Sequence, residues 1–204
     1  MRPEEIARAV RRSIRERIFS PGQVLNQDEL ARQYGVSRIP LREALRTLAG
    51  EGLIVINPGL GAVVTELDPQ EVDELCGLRL LLEPSLAEAI LDHVGRRDVA
   101  DLGGLVERLA EAADTSGEDW SAALYAFHRR LFELSGRRHT VRLVVQVLNL
   151  VEPYARLHAQ ESGNRGELTK LCRAMLAELE AGDGGELRTL IERSITTTRE
   201  SLVG

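Results

Sequence analysis

The 204-residue sequence predicts a mostly α fold in two domains, a helix-turn-helix closed by a β-hairpin over residues 1–66 and an all-α antiparallel bundle over 67–204. Three observations predict it. Apolar residues recur at helical spacing between closely spaced stop signals up to Gly52. One pair of β-rich runs, Leu53 to Ile56 and Ala62 to Thr65, brackets the turn-forming Asn57-Pro58-Gly59-Leu60-Gly61. After Thr65 no strand pattern survives, and amphipathic stripes separated by glycines fill the rest of the chain.

In the first domain, Ile6, Val10, Ile14 and Ile18 form one helical stripe, and Pro21-Gly22 stops it. Asn26 with Glu29 three residues later reads as an N-cap, opening a short helix through Tyr34 that ends at Gly35. Ser37 caps the next helix, which tolerates Pro40 in its first turn and carries Leu41, Ala44, Leu45 and Leu48 on one face. At about 100° per residue, Arg38, Arg42 and Arg46 fall within roughly 80° of arc on a different face. Two short helices joined by Gly35-Val36-Ser37 have the form of a DNA-reading motif whose second helix enters the major groove. An arginine fork there can bond a guanine edge bidentately or grip a phosphate, and Ser37 can donate to a phosphate. Arg46 fits a solvated surface arginine equally well. The hairpin that follows is a wing.

Charge distribution agrees with that reading. The net charge is −6, but residues 1–66 hold 10 arginines against 8 acids, while the remainder is acidic. A mildly basic N-terminal third can bind nucleic acid through a local patch. No stretch approaches the ~20 apolar residues of a membrane span, so a cytoplasmic location without membrane contact is expected. Cys76 and Cys172 lack CxxC spacing and are expected as buried free thiols.

The run LNQDELARQYGVSRIPLREALRTLAGEGLI resembles the DNA-binding domain of GntR-type bacterial regulators, with VSR-P-REAL as its dense part. The resemblance covers about residues 4–65. It implies operator contacts at Ser37, Arg38 and Arg42, and entry of the wing tip, Gly59, into the adjacent minor groove. Asp28 departs from the pattern, standing where some relatives place a DNA-contacting arginine.

Asp68-Pro69-Gln70-Glu71 combines an N-cap, proline at the first helical position and a capping-box glutamate, so a new helix starts there. The breaks predict helices over 69–93, 98–114, 118–135, 139–161, 166–181 and 184–202, with a bend at Pro153. Polar residues interrupt the apolar stripes of this bundle. Arg79 lies among Val72, Leu75, Leu82, Leu86 and Ile90, and His128 among Trp120, Leu124, Phe127 and Leu131. His158 shares the register of Val144, Leu148 and Val151. Cys172 falls among Leu168, Leu171 and Met175, and Ser194 among Leu187, Leu190 and Ile191. Polar groups converging from several helices imply either a hydrogen-bonded network or a ligand cavity.

With LRLLLEP, FHRRLFELSG and LEAGD, residues 69–202 look like the FCD effector domain of the FadR subfamily. Many FCD domains hold a divalent metal, and the four matching positions here are Leu124, His128, Cys172 and Ser194. Leucine cannot ligate and serine seldom does, so no metal or other cofactor is expected. Arg79, Tyr125, His128, Cys172 and Ser194 are then the candidates to hold an effector, Arg79 by bonding a carboxylate. Arg79 could instead pair with Glu83 one turn away, and His128 could be a satisfied core histidine.

The expectation is a homodimeric transcription regulator, a repressor by family habit, that binds palindromic double-stranded operator DNA under control of a small-molecule effector. A dimer whose helical domain senses nothing is the alternative. An enzyme is a further one, with no catalytic residues nominated because no nucleophile motif, phosphate loop or HExxH occurs.

Overall fold

A computed structural model describes the backbone of residues 1–161 and 164–203. The side chains of residues 15, 117, 118, 152–163, 201, 203 and 204 are not described, so the stripe position of His158 lies outside the described residues, while the helix expected to bend at Pro153 runs unbroken from Arg138 to Glu161. The chain divides into two compact units, Met1–Asp68 and Pro69–Gly204.

In the first unit, α1 (Pro3–Arg15) begins with proline at its first position, where no N–H is missed. It buries Ile6, Ala7, Val10 and Ile14 against α3 (Arg38–Gly50), which answers with Leu41, Ala44, Leu45 and Leu48. The expected stripe runs one turn too far. The helix ends at Arg15, Arg17 takes a left-handed φ of 55°, and Ile18 turns out to solvent while Phe19 takes the buried place. A half-buried bidentate pair, Arg11 to Glu51, ties the start of the unit to the end of α3.

Between them lies α2 (Gln27–Gln33), capped by Asn26, whose Oδ1 accepts from the amides of Asp28 and Glu29 at 3.0 and 3.2 Å. The helix leaves through Gly35 at φ +63°. The Gly35 amide donates to the Arg32 carbonyl and the Val36 amide to the Ala31 carbonyl, the paired bonds of a Schellman turn. Only glycine adopts that φ without strain, so the angle between α2 and α3 is fixed locally.

The wing is a hairpin of β2 (Ile54–Asn57) and β3 (Gly61–Val64), antiparallel with Asn57 opposite Gly61. A third strand, β1 (Val24–Leu25), pairs antiparallel with β3 to give the order β1-β3-β2. Two residues carry too little pattern to be read as a strand from sequence. They become one because β3 offers them an open edge.

The second unit is helical. In order come α4 (Pro69–Leu82), a 3-10 turn (Pro84–Leu86), α5 (Ala87–Leu91), α6 (Arg96–Ala113), α7 (Gly117–Glu133), α8 (Arg138–Glu161), α9 (Arg165–Ala181) and α10 (Gly184–Val203). The first expected helix is therefore broken at Pro84, which lacks the N–H needed to continue and crowds the preceding turn. The neighbours close a ring, α4 on α8, α8 on α7, α7 on α6, α6 on α9, α9 on α10 and α10 on α4. Trp120, Phe127, Leu131, Phe132, Met175 and Ile191 are buried within it. No described helix is long and apolar enough to cross a membrane.

Candidate functional site

Two candidate sites follow from the two units. In the first, the short turn after Gly35 places Ser37 at the N-cap of α3, exposed and with no capping hydrogen bond from its side chain. Its hydroxyl and the first amides of α3 thus remain available to an anion. Arg38, Arg42 and Arg46 are all exposed, whereas Leu41, Ala44, Leu45 and Leu48 on the adjoining face are fully buried. One helix therefore has a face committed to packing and a face of three guanidinium groups. Gly59 is exposed at the hairpin tip with φ +88°, in a loop where no side chain crowds it.

Two features of this face were not nominated from sequence. Ile39 is 73% exposed, next to Arg46 in the helical projection. The same 100° arithmetic that groups the arginines would have placed it there. Arg38 Nη2 lies 2.6 Å from Asp28 Oδ1, joining the first turn of α2 to the first residue of α3.

The second unit holds its polar groups inside. Arg79 is 4% exposed and Glu83 1%, and they form a fork-to-fork pair with Nε to Oε1 at 2.6 Å and Nη2 to Oε2 at 3.2 Å. The Glu83 carboxylate engages the Nε and Nη2 edge of the guanidinium, not Nη1. Burial pushes against the charge on both groups. It raises the Glu83 carboxyl, against which Arg79 pulls, while the charge and hydrogen bonds of Glu83 outweigh burial at Arg79 and hold the guanidinium protonated.

His128 is buried beside this pair. Burial first, and the Arg79 charge second, lower its pKa to about 3, opposed by a hydrogen bond with the Leu124 backbone. It is therefore neutral at pH 7. Its Nε2 lies 3.4 Å from Ser194 Oγ across to α10, and the ring stacks on Phe132 with an edge contact to Phe127. Cys172 is fully buried, and burial raises its thiol well above the usual range. Tyr125 donates to Asn149 Oδ1 at 2.8 Å, on the α7–α8 side of the ring.

The structure thus joins Arg79, His128 and Ser194 through contacts or charge, and gives Tyr125 a separate partner. Sequence reading missed Asn149 and Thr169, both buried, the latter accepting from Trp120 Nε1 at 3.0 Å. A groove of about 530 Å³ crosses α6 and α7, lined by Arg108, Glu111, Asp119 and small residues, and includes none of the five nominated side chains.

A divalent metal at the family's usual place would need donors from Leu124, His128, Cys172 and Ser194. Leu124 has none, Ser194 offers a weak hydroxyl, and the Cys172 thiol resists ionisation. No group of three metal-ligating residues occurs among the described residues. The donor set does not fit a transition metal.

A winged helix-turn-helix followed by a ring of helices defines a class of transcription regulators. Within that class the relatives are specific. Residues 3–64 match the profile of the bacterial regulatory proteins of the gntR family, and residues 74–197 match the FCD domain. The chain belongs to the GntR family, with an FCD domain after its DNA-binding domain. It is 32% identical over 135 residues to an uncharacterized HTH-type transcriptional regulator, YdhC, of Bacillus subtilis, covering 65% of this chain and 60% of that protein. It is 31% identical over 127 residues to the gluconate operon transcriptional repressor of Bacillus licheniformis, covering 62% of this chain and 50% of that one. The chain thus spans between half and two thirds of these relatives' length. Among solved structures, Escherichia coli McbR/YncC superposes with a TM-score of 0.81 at 22% identity over 95% of this chain and 93% of that one. A GntR regulator from Rhodococcus reaches 0.82 at 19% identity, over 99% and 97%. At those identities the likeness concerns the fold.

Proposed function

We propose that the chain is a cytoplasmic, homodimeric repressor that binds palindromic double-stranded operator DNA through residues 1–66 and senses a small organic effector through residues 67–204. The observation that carries this reading is the two-sided α3, with one face buried and the other presenting Arg38, Arg42 and Arg46 to solvent. Two such helices related by a dimer axis fit successive major grooves about 34 Å apart. Ser37 and the α3 N-terminus anchor phosphate, the arginines read bases, and Gly59 brings the wing backbone to the minor groove.

The effector reading rests on the buried Arg79, His128 and Ser194, which the structure joins, and it assigns Cys172 and Tyr125 to the same site from the sequence pattern alone. A carboxylate would meet Nη1 of Arg79, the edge that Glu83 leaves free, while neutral His128 and Ser194 supply uncharged hydrogen bonds. Effector binding would shift the population able to hold both half-sites. This reading places no metal at Leu124, His128, Cys172 and Ser194, whose donor set does not fit one.

The pairing of Arg79 with Glu83 also favours a second reading, in which these groups are core and the helical domain only dimerises. Footprinting on the chain's own upstream intergenic DNA tests the operator reading, where a protected palindrome is expected and uniform cleavage contradicts it. A thermal-shift screen with organic acids separates the two readings of the helical unit. Specific stabilisation supports sensing, and the absence of any hit across a broad panel supports the dimeriser.

A further inference from the structure

Asp28 stands at an unusual place for an acid, beside the face proposed to meet a polyanion. Its backbone is rigidly placed, because its amide donates to Asn26 Oδ1 at the N-cap of α2. The Schellman turn at Gly35 fixes α3 relative to α2, and so fixes where Arg38 starts. From these two fixed points the side chains meet, with Arg38 Nη2 2.6 Å from Asp28 Oδ1. Arg32, the nearest other cation on α2, donates to the Asp28 carbonyl rather than to its carboxylate.

We propose that Asp28 is a positioning residue for operator reading: its carboxylate holds the Arg38 guanidinium toward a base edge and away from the phosphate backbone. The proposal rests on the reading that α3 enters the major groove. At 71% and 59% exposure the two side chains contribute little to fold stability, since water screens such a pair. Docked DNA displaces that water, and the same contact strengthens in the lower dielectric. A guanidinium carries five donors, so one spent on Asp28 leaves enough for the O6 and N7 of a guanine. A phosphate approaching the same group also meets the carboxylate and is repelled. Asp28 therefore lowers affinity for any duplex and raises the preference for the right one.

The test uses the full-length protein and a duplex selected by it from a random pool, the single-base variants of that duplex, and a scrambled duplex. Binding of wild type, Asp28→Asn and Arg38→Ala is followed by fluorescence anisotropy over a range of salt. The base position read by Arg38 is the one whose preference disappears in Arg38→Ala. In Asp28→Asn, preference at that position is expected to fall about tenfold, from the scale of one bidentate contact. Affinity for the scrambled duplex is expected to rise, with a salt slope steeper by about one phosphate contact. Equal changes on selected and scrambled duplexes, with base preference intact, would reduce Asp28 to a plain charge and overturn the proposal. Unchanged binding and preference in Arg38→Ala would instead remove Arg38 from the reading face and overturn the proposal at its premise, and unchanged binding in Arg42→Ala as well would overturn the reading of α3 itself. Asp28→Asn keeps the capped amide, so folding is preserved, and circular dichroism checks it.

Discussion

Two arginine–carboxylate pairs in this chain have the same closest distance, 2.6 Å, and opposite surroundings. Arg38–Asp28 lies open to water between α2 and α3 of the first unit, and Arg79–Glu83 is buried within the helical ring of the second. The buried pair adds a second contact, Nη2 to Oε2, but the larger difference between the two is solvation. The exposed pair exchanges its partner for water at little cost and is free to be redirected by an incoming ligand. The buried pair cannot, because either charge left alone has no water to turn to. Charge in the first unit is thus open to solvent, whereas in the second the Nε and Nη2 edge of Arg79 is committed to Glu83.

The largest effect that would sharpen this contrast is Glu83→Gln, expected to cost the helical unit about 3 to 5 kcal/mol by leaving Arg79 uncompensated. Trp120, the only tryptophan, is buried in that unit, so its fluorescence during urea unfolding reports on it directly. The double variant Arg79→Met, Glu83→Leu should recover most of the loss. A single variant as stable as wild type would mean that the pair is solvated.

A second test uses acid. His128 stays neutral in the fold down to about pH 3, while the unfolded chain takes up that proton near the ordinary imidazole value of 6.5. The unfolded state therefore binds more protons between these values. The contribution is fully present above pH 6.5 and is lost progressively as pH falls toward 3. Glu83, with its raised carboxyl, titrates in the opposite sense, so the comparison is between slopes. His128→Phe should flatten the wild-type slope across this window, and an unchanged slope would place the proton uptake elsewhere.

The smallest effect is expected at the surface. Asp28→Asn should alter the unfolding free energy by less than about 1 kcal/mol. A loss as large as that of Glu83→Gln would erase the distinction between the two pairs.

How much of this was legible in the sequence depended on how local each cause is. The Asn26 cap, the glycine exit at Gly35 and the two faces of α3 were readable because each is decided within a few residues. The N-cap position of Ser37 was readable too, but its expected capping bond is absent, since hydroxyl orientation is set by more than spacing. Strand β1 and the burial of Phe19 in place of Ile18 were hidden because a strand edge and a left-handed residue decide them. In the helical unit, stripe reading nominated Arg79, His128 and Ser194, and Glu83 stood at the spacing that could bind Arg79. The contact of His128 with Ser194, 66 residues apart, needed the ring of helices to close. Pro84, read only as part of a motif, breaks the first helix of that ring.

The central claim is that the exposed face of α3 reads DNA while contributing little to the fold. It is tested most directly by measuring the affinity of Arg42→Ala and Arg38→Ala for the selected duplex beside their thermal unfolding. Each should lose about 1 to 3 kcal/mol of binding, with melting temperatures near that of wild type. Undiminished affinity in both variants would contradict the account.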